Sequence, residues 1–257
     1  MAKIKLEMHY DNQVARIILN SPKGNVLDSE MMTDISSALN SISNQNDIKL
    51  IQFMGAGNHF SFGASVAEHT KENASKMLEQ FHGLFKQIID LGIPTAALVS
   101  GQCLGGGFEL ALICNYLFVD ITAKCGQPEI LLGVFAPPAS LILPLKIGQS
   151  MADDLLLTGK VLSSQALMLL GLAHQEFENQ IELINGVNDW VEKNILLKSA
   201  SSLKYAVKAA RYNFNKNLKF ALDDLKKIYT TELMESYDAN EGITSFLEKR
   251  KPIWENR

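Results

Sequence analysis

Apolar and polar positions along the chain fall into two alternating kinds of run. Short, almost wholly apolar stretches, Val14 to Asn20, Lys49 to Met54, Thr95 to Val99 and Tyr116 to Ile121, read as strands covered on both faces. Between them apolar residues recur at three- and four-residue spacing. Met31, Ile35, Leu39 and Ile42 make one helical stripe, which Asp28 can cap; Met77, Phe81, Leu84, Phe85 and Ile88 make a second, stopped by Gly92 and Pro94. Ser21-Pro-Lys-Gly-Asn25 is a turn, Gly55 to Ser65 a glycine-rich loop, and Gly101 to Gly107 a turn running into a helix over Phe108 to Ile113. This order predicts an α/β fold with parallel strands buried between helices.

After about residue 150 the pattern becomes mostly helical. Ser150 with Asp153 and Asp238 with Glu241 read as capping boxes, and Ser163/Ser164 open a helix ending near Gly171. No Pro- or Ser-rich linker divides the chain. The expected organisation is a β/α core over 1–195 and a helical region over 196–257 that packs on that core or on a neighbouring subunit.

The net charge of −4 argues against a nucleic-acid partner. Cys103, Cys114 and Cys125 form no paired framework, which points to a reducing compartment. No apolar run is long enough for a membrane span or a secretory leader, so the expectation is a cytoplasmic protein without a membrane partner. The five histidines lack metal-ligand spacing, and no metal is expected.

Two glycine-rich elements follow strands: His59-Phe-Ser-Phe-Gly-Ala-Ser65 and Gly101-Gln-Cys-Leu-Gly-Gly-Gly107. Glycines at 101, 105, 106 and 107 fit neither the dinucleotide fingerprint nor a phosphate-binding P-loop. Glycines at a helix start leave peptide N–H groups unscreened, which suits a developing oxyanion, although tight helix–strand packing is the commoner reason for such a glycine pattern. Glu109 stands in the first turn of that helix among Phe108, Leu110, Ala111 and Leu112, and Glu129 follows in Gly126-Gln-Pro-Glu-Ile-Leu-Leu-Gly133. Carboxyl groups in apolar company have raised pKa values and suit proton transfer.

The string Gly101 to Ala111, followed by Gly126 to Gly133, resembles the enoyl-CoA hydratase/isomerase (crotonase) superfamily. Further likenesses are His59 to Ala64, Asn20 to Leu27, Leu156-Leu-Thr-Gly159 and Glu241 to Lys251, so the resemblance spans essentially the whole chain. It implies a β/α (ββα) spiral core with a helical C-terminal trimerisation region. It further implies a homotrimer or dimer of trimers, and an acyl-CoA thioester substrate with no separate cofactor. It also assigns an oxyanion hole to the N–H groups of Ala64 and Gly106, and acid–base roles to Glu109 and Glu129. Glu109 would activate water and Glu129 deliver a proton, or the reverse. Substrate or CoA contacts are implied at Lys23, Phe62, Gly63, Ser65, Gly105, Phe135, Pro137 and Lys251.

Two departures stand out. Where common hydratases carry a Pro-Gly-Ala-Gly-Gly-like run, this chain has Gly133-Val-Phe-Ala-Pro-Pro-Ala-Ser140, and Ser65 stands in place of a usual Asp. These segments resemble the branch of the family that hydrates cyclohexa-1,5-diene-1-carbonyl-CoA by 1,4-addition in anaerobic benzoyl-CoA degradation, forming 6-hydroxycyclohex-1-ene-1-carbonyl-CoA. The competing expectations are an ordinary short- or medium-chain 2-enoyl-CoA hydratase, and a non-catalytic acyl-CoA- or RNA-binding protein of the same fold.

Overall fold

The computed structural model describes residues 2–22 and 24–257. Strands β1 (Ile4–His9), β2 (Val14–Leu19), β3 (Leu50–Gly55), β4 (Thr95–Val99), β6 (Tyr116–Asp120) and β9 (Gln175–Phe177) form one sheet in the order β1-β2-β3-β4-β6-β9. Only the β1–β2 pair is antiparallel. Each parallel step needs a crossover, and helices α1 (Ser29–Ser43), α2 (Ala74–Leu91) and α3 (Gly106–Ile113) supply the first three.

A second, smaller layer holds β5 (Gln102–Leu104), β7 (Lys124–Gly126) and β8 (Val161–Ser163). Single bridges extend it back along the chain, Ser61 to Cys103 and Leu27 to Ala64. Successive turns of chain therefore each contribute a long strand to the first layer, a short segment to the second, and then a helix. This is a ββα spiral, and its repeat stacks equivalent points of consecutive turns side by side.

Residues on opposite faces of the long strands feed two cores. Ile51 and Phe53 of β3 pack with Met31, Ile35 and Phe85 inside the spiral, whereas Leu50 and Met54 face Leu183, Val187 and Val191 of α7 (Gln180–Val191). Asp28 caps α1 by accepting the Met31 N–H at 2.9 Å, as the sequence predicts. Gly92 ends α2 in the left-handed conformation, at φ 62°.

The chain continues through α4 (Pro137–Ile147), α5 (Gln149–Thr158), α6 (Ser164–Leu169), α8 (Ala200–Ala210), α9 (Tyr212–Thr231) and α10 (Tyr237–Leu247). The last helices have no core of their own: Leu218, Leu222, Tyr229, Met234 and Ile243 join the main cluster. Lys86 pairs with Asp223 at 2.7 Å, and Lys219–Asp90 and Lys226–Glu79 continue the same seam between α2 and α9.

Several local expectations are corrected. Ser150 and Asp153 make no capping box, because α5 starts at Gln149 after Gly148 and has no side-chain cap. The last helix starts earlier than Asp238; Ser236 caps it, and Glu241 instead accepts from Arg250 Nη2 at 2.8 Å. The turn at Gly101–Gly107 contains β5, and its helix starts at Gly106 rather than Phe108. Strands β1, β8 and β9 and helix α4 add to the elements expected from sequence.

Candidate active site

The spiral stacks Ala64, Gly106 and Glu129 on consecutive turns, each just after a short strand or bridge of the second layer. Gly63 O accepts the Leu27 N–H at 2.9 Å and Ser65 N donates to Leu27 O at 3.3 Å, which aims the intervening Ala64 N–H away from that bridge. Gly106 opens α3, so its N–H has no acceptor within the helix. Among the described residues neither N–H donates to another protein group, and they lie close together. A Cβ on Gly106 would stand 3.2 Å from both the N and the Cβ of Ala64.

The preceding glycine has a separate purpose. Gly105 caps α3 at φ 49°, and a Cβ there would meet Glu129 Oε1 at 2.6 Å. Only glycine lets the Glu129 carboxyl lie against the start of α3. The close packing and the exposed N–H groups offered as alternatives by the sequence therefore coexist.

Glu109 is 3% exposed, one turn into α3, with Oε1 accepting the Ala139 N–H at 2.8 Å. That bond explains the proline run. Helix α4 begins Pro137-Pro138, which have no N–H, so Ala139 supplies the first free donor of the helix and Glu109 takes it. Glu129 sits on a short 3₁₀ turn, Pro128–Leu132, that follows β7. With its amide turned to donate, buried Gln127 reaches the two Glu129 oxygens at 3.1 and 3.0 Å.

Burial lifts the Glu129 carboxyl to about 7. Burial, and then the charge of Glu129, push Glu109 well above the usual carboxylate range, opposed by the Ala139 N–H. Once Glu129 ionises, the pair thus still keeps one proton, against the ordinary behaviour of carboxyl groups at that pH.

Both glutamates line one small cavity with Ala64, Gly106, Phe135 and Pro137. Its remaining wall comes from His69, Met77, Leu78 and Phe81, from Ala136, and from Tyr229 of α9. About 20 Å³ is open to the centre of a water molecule, room for one or two waters.

Of the other positions singled out in the sequence, Gly63 and Gly105 shape the two loops. Phe62 is 47% exposed, edge-on to His59 with ring centroids 5.0 Å apart. Ser65 precedes a 3₁₀ turn, and its carbonyl accepts from His69 Nδ1 at 2.8 Å; neither Ser65 nor Phe62 lines the cavity. Lys251 is exposed beyond α10, away from the cavity lining, and Lys23 lies outside the described residues. The sequence does not mark six of the lining residues as part of a site: apolar Met77, Leu78, Phe81 and Ala136, and the polar pair His69 and Tyr229. The Gly-Ala-Ser loop gives a weak pointer to His69, and no local signal marks Tyr229. A further omission is Asn25, 2% exposed, whose Nδ2 donates to Ala56 O and His59 O at 3.1 and 2.9 Å. It anchors the loop that carries Ala64. Among the described residues no cluster of His, Cys, Asp and Glu has metal-binding geometry, and no helix is long and apolar enough to cross a membrane.

Comparison with known proteins agrees with this architecture. The enoyl-CoA hydratase/isomerase family model matches residues 9–257. The chain is 40% identical to cyclohexa-1,5-dienecarbonyl-CoA hydratase of Thauera aromatica, over 99% of this chain and 97% of that one. It is 32% identical to a probable enoyl-CoA hydratase of Bacillus subtilis, covering 96% and 97% of the two chains. Among solved structures, an enoyl-CoA hydratase from Bacillus halodurans superposes with TM-score 0.87 at 23% identity, over 95% of this chain and 99% of that one. One from Mycobacterium avium subsp. paratuberculosis gives 0.86 at 21% identity, with 99% of each chain covered. The spiral is therefore the crotonase fold, and the chain belongs to the enoyl-CoA hydratase/isomerase family.

Proposed function

We propose that this protein is a hydro-lyase that adds water to cyclohexa-1,5-diene-1-carbonyl-CoA, forming 6-hydroxycyclohex-1-ene-1-carbonyl-CoA in anaerobic benzoyl-CoA degradation. The observation that carries the reading is the convergence of two carboxyl groups, of buried Glu109 and half-buried Glu129, and two unpaired peptide N–H groups on one cavity. The ring specificity rests on the 40% identity to the Thauera aromatica enzyme.

In this mechanism the thioester oxygen lies between the N–H groups of Ala64 and Gly106, which stabilise negative charge as it builds. The ionised member of the Glu109/Glu129 pair takes a proton from water while the water oxygen bonds to the ring carbon β to the thioester carbonyl. Electrons move through the ring into the thioester oxygen, giving a dienolate. The protonated member then delivers its proton to the far γ-carbon, which completes 1,4-addition. The pair ends with one proton, as it began, with its members exchanged.

Phe135 and Pro137, at the head of α4, shape the wall around the ring, and CoA enters only as part of the substrate. Lys23 and Lys251 belong to the proposal as contacts for the CoA phosphates. So does assembly as a trimer or dimer of trimers, which exposed Tyr205, Tyr212 and Phe220 on α8 and α9 support; sedimentation of the purified protein tests it. Separate incubations with the cyclic dienoyl-CoA and with crotonyl-CoA test substrate choice. Rapid hydration of the diene with slow crotonyl-CoA turnover is expected. Preference for crotonyl-CoA makes the protein an ordinary 2-enoyl-CoA hydratase.

A further inference from the structure

We infer that Tyr229 is a third functional side chain of this site, its phenol hydroxyl hydrogen-bonding the oxygen that the glutamate pair adds to the acyl group. The inference rests on the hydratase reading and extends it to a residue on a distant helix.

Tyr229 is 1% exposed, and among the described residues its hydroxyl has no hydrogen-bond partner. Buried hydroxyls are almost always paired, and phenylalanine would fill the same space without the cost of an unpaired polar atom. The hydroxyl belongs to a side chain in the wall of the cavity that holds Glu109 and Glu129, so a partner arriving there would satisfy it.

Elimination identifies that partner. The thioester oxygen is taken by the two peptide N–H groups, and the acyl skeleton is hydrocarbon. The polar atom left is the oxygen of the attacking water, which becomes the hydroxyl of the product. Besides the glutamate pair, His69 is the other titratable group lining this cavity; its Nδ1 is spent on Ser65 O at 2.8 Å. Burial, reinforced by the charges of Glu129 and Glu109, holds the phenol protonated far above its usual range, so it enters as a neutral donor.

Its placement is fixed from several directions. Leu218 and Leu222 bury the same helix, ion pairs with α2 hold its outer face, and the Tyr229 ring stands edge-on to Phe135 at 5.2 Å. In hydration the phenol orients the water by donating to a lone pair not used for attack. In dehydration it stabilises charge on the departing oxygen. It keeps its own proton throughout, so the proton balance of the glutamate pair is unaltered.

Tyr229→Phe removes this hydroxyl and leaves the ring packing in place. The expected result is a ten- to hundred-fold fall in kcat with KM near wild type, and a melting temperature equal to wild type or higher. Binding should separate by ligand: 3-hydroxybutyryl-CoA and 2-hydroxycyclohexane-1-carbonyl-CoA weaken about tenfold, while butyryl-CoA and cyclohexanecarbonyl-CoA bind as before. Unchanged turnover, equal weakening of both ligand classes, or a fall in melting temperature together with activity would each overturn the inference. Wild-type protein runs beside the variant. If it hydrates neither crotonyl-CoA nor the cyclic diene, the hydratase reading fails and takes this inference with it.

Discussion

Replacing Glu129 by Gln tests whether the site holds a carboxyl group against its preference for water. Burial raises this group from an ordinary value of 4.5 to about 7. Between those pH values the native state keeps a proton that the unfolded chain has already released. Stability must therefore fall as pH rises through that window, and the full loss is present above it. At about 1.4 kcal/mol per pH unit, the rise corresponds to roughly 3 kcal/mol. Glu129 is only half-buried as a residue, so screening brings the expected cost to about 1–3 kcal/mol.

Glutamine has the same shape and no charge to desolvate. Glu129→Gln should resist urea better than wild type by that amount at pH 8.5, and the difference should shrink toward zero near pH 4.5. Hydration by the same variant should fall by about 10²–10⁴-fold, the usual worth of a general acid or base. Equilibrium unfolding followed by tryptophan fluorescence at several pH values measures the first effect, and a steady-state assay the second. A variant less stable than wild type at every pH, or a gap that ignores pH, would refute the claim that this carboxyl is desolvated.

Two further substitutions probe the other half of the site. Gly106→Ala puts a Cβ 3.2 Å from Ala64 N, forcing the two N–H donors apart; kcat/KM should drop by about 10²–10³-fold, as for loss of one oxyanion donor, with the fold intact by circular dichroism. Asn25→Ala strips donors from Ala56 O and His59 O and leaves alanine at φ 53°. Unfolding free energy should fall by about 2–4 kcal/mol, and activity should fall with it because the Ala64 loop loses its anchor.

What the sequence revealed, and what it concealed, follows the range of the interactions. Apolar runs such as Thr95–Val99 and the cap at Asp28 depend on neighbours within a few residues, and both are as expected. Three-residue strands β8 and β9 carry too little pattern to register, and β1 is an edge strand whose Lys5 and Glu7 break the apolar signal. Helix α4 was hidden because Pro137-Pro138 looks like loop until its place at a helix start is known.

In the site, Glu109 and Glu129 were legible because apolar neighbours mark them, and the resemblance paired them with Ala64 and Gly106. Tyr229 comes to the same cavity from about one hundred residues further along the chain. No periodicity distinguishes it from the other apolar positions of its helix. The reason Gly105 is glycine was equally hidden, since it lies in a carboxyl oxygen brought there by the next turn of the spiral.

The central claim is that this cavity adds water across a conjugated acyl-CoA, and isotopic water tests it most directly. Purified protein is incubated with cyclohexa-1,5-diene-1-carbonyl-CoA in H₂¹⁸O and, separately, in deuterium oxide, and the products are analysed by mass spectrometry and NMR. The account predicts 6-hydroxycyclohex-1-ene-1-carbonyl-CoA with one ¹⁸O in its hydroxyl group, and with one deuterium on ring carbon 3, the former γ-carbon. Unchanged diene, or a product lacking either label at those positions, would contradict it.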